Sequence, residues 1–87
     1  MKYVINREFD RIDNEKKTIL FTGVVENVYI LNEIETRIWS LFDCACSINE
    51  AYEKFDTENS NIVVKKEDFL DFVGQLIFRN IIILSND

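Results

Sequence analysis

Apolar residues in the first third of the chain come in short clusters separated by polar turns. Residues 7–13 read as a strand carrying Phe9 and Ile12 among charges, and Asn14-Glu15 supplies a polar turn. Thr18-Ile19-Leu20-Phe21 is β-branched and apolar, which suits a strand. Residues 22–27 contain Gly23 and polar residues able to turn the chain. Val28-Tyr29-Ile30-Leu31 follows without alternation, which predicts that both of its faces are covered.

The pattern then changes to a helical period. Asn32 with Glu35, and Ser47 with Glu50, have the spacing of capping boxes and predict two helix starts. Ile34, Ile38, Leu41 and Phe42 form one apolar face behind the first, with Trp39 beside it as a core residue. Ile48, Ala51, Tyr52 and Phe55 form the face behind the second, and residues 56–61 break the pattern. A third helix is predicted over residues 66–79, opened by Glu67 and Asp68 and closed by Arg79, as the helix dipole favours. Asn80 is placed as a left-handed cap. Phe69, Phe72, Val73 and Leu76 form its core stripe, with Leu70, Gly74 and Ile77 alongside. Its apolar arc spans about 240°, where one core-facing side needs little more than 100°. Something besides one core face is therefore expected to cover it. Ile81-Ile82-Ile83-Leu84 reads as a strand or extended tail. The order of elements predicts an α+β fold of the winged helix-turn-helix kind, a three-stranded antiparallel sheet packed on a three-helix bundle.

Composition bounds what such a domain can do. Eighty-seven residues, 47% of them hydrophobic, make a single domain over residues 1–87. No stretch has the length of a signal peptide's apolar core or of a membrane span, so a cytoplasmic location is expected, with no membrane partner. Sixteen acids against ten bases give a net charge of −6, the wrong sign for neutralising phosphates, so no nucleic acid is expected. Histidine is absent, which removes the commonest general base and metal ligand. Cys44 and Cys46 lack further Cys or His to complete a metal site, and read as small thiols packed at a helix end. Neither a phosphate loop nor a nucleophile motif occurs. A binding protein is expected rather than an enzyme, with no catalytic residues, no metal and no cofactor.

Several segments resemble one family. Val28-Tyr29-Ile30-Leu31-Asn32-Glu33, followed by Ile38-Trp39-Ser40-Leu41-Phe42, resembles the LNxT…IWxLL stretch of PqqD-like proteins. Ser47-Ile48-Asn49-Glu50-Ala51 resembles the TxEE start of their second helix. Residues 67–76 resemble their DVxxFLxxL, and Asn80-Ile81-Ile82 stands where they carry Gly-Leu-Leu. Ile34-Glu35-Thr36 departs from the small residues usual there. The likeness runs over about residues 9–84. It implies a RiPP recognition element, a module that binds the leader of a ribosomally made precursor peptide. Such a module presents the peptide to a modifying enzyme, such as a radical enzyme, or to a leader peptidase as in lasso-peptide pathways. In the family the leader adds as a strand to the sheet's third strand and packs against the third helix.

Carried onto this chain, the resemblance implies a peptide site of Val28, Tyr29, Ile30 and Leu31 on the strand. Leu70, Val73, Gly74 and Ile77 would line the helix, with Gly74 allowing close approach. An edge strand has unpaired main-chain groups that an added strand can satisfy. The wide arc on the third helix is also compatible with a homodimer interface, or with cover from the N-terminal residues and residues 81–84. A structural subunit of a biosynthetic enzyme is a further alternative. So is a winged-helix regulator, although the third helix has only Lys66 and Arg79 as bases.

Overall fold

A computed structural model of the chain describes residues 1–23 and 27–86. The fold is α+β, with three helices and a three-stranded antiparallel sheet. That sheet is formed by β2 (Asp10–Asn14), β3 (Lys17–Phe21) and β4 (Val28–Asn32), in that spatial order, after a short first strand, β1 (Tyr3–Ile5). Helices α1 (Glu33–Ser40), α2 (Ile48–Glu58) and α3 (Lys66–Phe78) follow, and β5 (Ile82–Leu84) pairs antiparallel with β1 as a separate ribbon. The turn expected over residues 22–27 includes Val24, Val25 and Glu26, which lie outside the described residues.

Local chemistry explains where the elements begin. Asn6 Oδ1 accepts from the Glu8 amide (3.0 Å) and its carbonyl accepts from the Phe9 amide (3.3 Å). These bonds make a turn of residues 7–9, so β2 starts at Asp10 rather than at residue 7 as the pattern predicts. Asn14 pairs with Lys17, leaving Glu15 and Lys16 as a two-residue loop. Both capping boxes are present: Asn32 and Ser47 each accept from the amide three residues on, and each amide is bonded in return by Glu35 or Glu50. The first helix ends earlier than expected. Ser40 Oγ donates back to the Thr36 carbonyl (2.7 Å), a bond that competes with the helical ladder, and Leu41–Asp43 continues as a 3-10 turn. Asn80 does adopt the left-handed conformation, with φ 58°. Its amide bonds to the Ile77 carbonyl and that of Ile81 to Leu76 (3.0 and 2.9 Å), the paired closure of a Schellman cap.

One contiguous core joins the layers. The sheet gives Leu20 and Leu31, α1 and its 3-10 extension give Ile38, Trp39 and Phe42, and α2 gives Ala51 and Phe55. Helix α3 adds Phe69, Val73 and Leu76, the terminal ribbon adds Ile5 and Ile82, and Ile81 joins them from the link between α3 and β5. Part of the broad apolar arc of α3 is thus met within the chain, where β5 packs against it. Phe72, expected in the core stripe, is only half-buried.

The caps make a direct test. Asn32→Ala removes the acceptor for the Glu35 amide and is expected to cost about 1 kcal/mol, read as a shift in the denaturant midpoint. Glu50 is held below the usual carboxylate range, chiefly by the Ser47 amide it accepts from. A carboxyl lowered by folding stabilises the fold above its ordinary pKa, and loses that contribution as pH falls through the folded value. Glu50→Gln, which removes the titrating carboxyl, should therefore flatten the acid limb of stability against pH, measured by thermal unfolding across pH 2 to 6 (roughly the carboxylate range).

Candidate functional site

The three-stranded sheet has a core face and an open face. Thr18 and Leu20 of β3 point inward with their partners Leu31 and Tyr29 of β4. The alternate positions point outward: Ile12 pairs with Ile19, Ile19 with Ile30, and Phe21 with Val28. Ile12, Val28 and Ile30 are 53%, 55% and 63% exposed. With Ile19, Phe21 and Thr22 they make an apolar outer surface, and Ile12, Ile19, Phe21, Thr22 and Val28 line a shallow hollow in it. The expectation that both faces of residues 28–31 are covered therefore holds only for Tyr29 and Leu31. Among the described residues Val28 and Ile30 stay more than half exposed. Sequence reading missed Ile12, Ile19 and Phe21. The signal was the two-residue loop at Glu15-Lys16, which sets the register that aligns them.

The same register fixes which main-chain groups of β4 are open. A pair flanking a two-residue hairpin loop exchanges both hydrogen bonds, and such pairs alternate along an antiparallel ladder. Asn14↔Lys17 flanks the loop, so Lys17, Ile19 and Phe21 bond toward β2, and Thr18 and Leu20 bond toward β4. The Thr22 amide, next in that series, donates to the Asn27 carbonyl at 3.3 Å, as the alternation requires. On β4, Tyr29 and Leu31 therefore face β3, and Val28, Ile30 and Asn32 direct their N–H and C=O groups to the free edge. Asn32 closes that edge, because its amide is held by Glu35 Oε1 at 2.9 Å. Among the described residues the open stretch is Val28 to Ile30, two donors and two acceptors.

Two contacts orient α3 against this edge. Arg79, at its C-terminal cap, lies over the ring of Tyr29 (5.1 Å from its centroid), and Phe9 packs against the same ring at 6.0 Å. Near the other end, Lys66 lies over Tyr52 of α2 (5.3 Å), and Phe69 meets Tyr52 edge-on at 5.1 Å. At about 100° per residue, Arg79 shares its flank with Phe72 and Gln75, and Lys66 shares the opposite flank with Leu70 and Ile77. The flank turned to β4 is thus that of Phe72, Gln75 and Arg79. Of the sequence-predicted helix wall, Leu70 and Ile77 lie toward α2, Gly74 opens to solvent with nothing near its Cα hydrogens, and Val73 is fully buried. The structure brings Val28, Tyr29, Ile30 and Leu31 together as one strand, but it does not bring Leu70, Gly74 and Ile77 to that strand.

Elsewhere the chemistry is sparse. Two open polar hollows flank Arg37, whose guanidinium is tied to Asn59 (2.7 Å) and Glu33 (3.2 Å). Among the described residues no group of three His, Cys, Asp or Glu lies close enough to hold a metal ion, and no helix is long and apolar enough to cross a membrane. The two thiols differ from the expectation of a packed pair. Cys44 is exposed, and Cys46 is half-buried in a main-chain bridge to Tyr3 (2.8 and 3.0 Å), its thiol donating to the Leu41 carbonyl. Burial, then the charge of Glu50, raises the Cys46 thiol above its ordinary pKa. Since the thiolate is the nucleophile, Cys44 should be alkylated by iodoacetamide well before Cys46, as read by mass spectrometry of timed digests. Equal rates would contradict the placement of Cys46.

No protein-family model matches the chain, and a search of curated proteins finds no relative.

Proposed function

We propose that this domain is a peptide-binding module of the RiPP recognition kind, built on a winged helix-turn-helix scaffold. In this reading it acts by binding, without catalysis. It takes the leader of a ribosomally made precursor as an antiparallel strand on β4 and delivers it to a modifying enzyme or leader peptidase. The observation that carries the proposal is the edge of β4, where Val28 and Ile30 direct N–H and C=O groups outward, unpaired among the described residues, beside the Tyr29–Arg79 stack. A regulator that reads DNA is disfavoured, because both bases of α3 are engaged over tyrosine rings. The exposed outer face of Ile12, Ile19, Phe21, Val28 and Ile30 favours a second use, as an interaction surface for an enzyme subunit or a second copy.

The test is an amide-shift titration with the leader of a precursor peptide encoded beside this protein. Val28 to Asn32 and the Phe72–Arg79 flank of α3 should shift together. Gln75→Glu or Arg79→Glu should weaken binding more than Leu70→Glu, which lies on the flank toward α2. Shifts confined to α2 would reject the site.

A further inference from the structure

Resting on strand addition at β4, we infer that the incoming strand is recognised through an aliphatic–acidic–aliphatic triplet, its carboxylate pairing with Arg79.

The register assigns the triplet. Among the described residues, Val28 and Ile30 offer main-chain groups at the edge, so an antiparallel strand pairs one residue with Ile30 and the next but one with Val28. Each pair exchanges two hydrogen bonds. Residues directly opposite share a face of the sheet, so these two side chains emerge on the outer face. There they extend the row Ile12–Ile19–Ile30 and the pair Phe21–Val28. Both rows end at exposed aliphatic groups, Val28 and Ile30, and an aliphatic side chain on the added strand continues them.

The middle residue of the triplet lies opposite Tyr29 and points inward, toward the ring and the guanidinium above it. Of the four arginines in the chain, Arg7 holds Asp43, Arg11 holds Asp13 and Arg37 holds Glu33, at 2.8–3.2 Å. Among the described residues Arg79 has no carboxylate partner, although Tyr29 holds it in place. A guanidinium fixed on an aromatic face keeps its planar donors for a carboxylate. The acidic net charge of the domain leaves Arg79 as a local positive point beside the edge, which is the charge complement of an Asp or Glu on the incoming strand. Capping of the Asn32 amide by Glu35 ends the edge beyond Ile30 and bounds the triplet on that side.

The experiment is selection of random twelve-residue peptides from an mRNA-display library against the full chain, repeated with Arg79→Glu and Ile30→Pro. The enriched peptides should share an aliphatic–acidic–aliphatic triplet. Arg79→Glu should replace the acid by a base. A synthetic peptide of the consensus should lose about fivefold in affinity when its acid becomes Gln. Arg79→Gln should cause a similar loss, and with it the acid should no longer matter. Peptides that need an intact Ile30 edge but carry no charge preference would overturn this inference and leave strand addition standing. Three results would overturn strand addition itself and the triplet with it: no enrichment, enrichment indifferent to Ile30→Pro, or β4 amide shifts that follow protein concentration alone, as in pairing of two copies.

Discussion

Ile30→Pro should leave the domain folded and reduce peptide binding at least about tenfold, whereas proline one position to either side should unfold it. Proline removes one backbone N–H and fixes φ near −65°. At an edge strand it is tolerated where the missing N–H would have faced outward. By the alternation set at the Asn14↔Lys17 pair, the Ile30 N–H faces the free edge, and those of Tyr29 and Leu31 donate to β3. Ile30 is also 63% exposed, so its side chain contributes little to the core. In the complex the ring stands where an incoming carbonyl must find its donor. An unmet acceptor costs about 1–3 kcal/mol, and about 1.4 kcal/mol is tenfold. At Tyr29 or Leu31 the same change leaves a carbonyl of β3 without its donor, and Leu31 further loses a buried side chain. Thermal unfolding and calorimetric titration of the three variants decide the matter. A folded Leu31→Pro with an unfolded Ile30→Pro would reverse the assigned parity, and unchanged affinity in Ile30→Pro would remove β4 as the docking edge.

That parity was present in the sequence and could be read only once one register was known. Alternating positions of residues 17–21 and 28–31 are apolar on both faces, so hydrophobicity could not say which set turns inward. One polar loop of two residues, Glu15-Lys16, fixes the pairing and hydrogen-bond parity of three strands, and the helices packed on one face choose the inward set. The helices were easier, because Asn32–Glu35 and Ser47–Glu50 satisfy main-chain donors within a single turn and need no distant partner. The ribbon of β1 and β5 pairs residues some eighty positions apart, and no local pattern at Tyr3, Val4 and Ile5 announces a partner at the other end of the chain. Which flank of α3 turns to β4 is hidden from the sequence for a similar reason. Periodicity gives relative angles around a helix, but the absolute direction comes from contacts such as Arg79 over Tyr29 and Lys66 over Tyr52. Arg79 looked like a charge that merely closes a helix, and its place over an aromatic ring is a tertiary fact.

Phe69→Ala should be the most damaging single truncation on α3, costing about 3–5 kcal/mol. Its ring has no solvent exposure and sits 5.1 Å from Tyr52 and 5.7 Å from Phe55, between α2 and the rest of the core. Truncation removes the apolar transfer gain and leaves a void whose walls are two aromatic rings fixed on another helix, so little collapse can refill it. A chain of this length has a total stability of roughly 4–13 kcal/mol, so the loss is at least about a quarter of the whole. Phe78, on the same helix and the same residue type, is 86% exposed. Phe78→Ala should change stability by no more than about 0.5 kcal/mol. Phe72→Ala, half-buried on the flank toward β4, should fall between them. It should also reduce peptide binding, because Phe72 shares the flank of α3 that carries Arg79. Guanidinium unfolding of the three variants gives the ranking directly. If Phe78→Ala proved as destabilising as Phe69→Ala, the exposed side of α3 would be covered in solution, and a second copy of the chain would be the first candidate for what covers it.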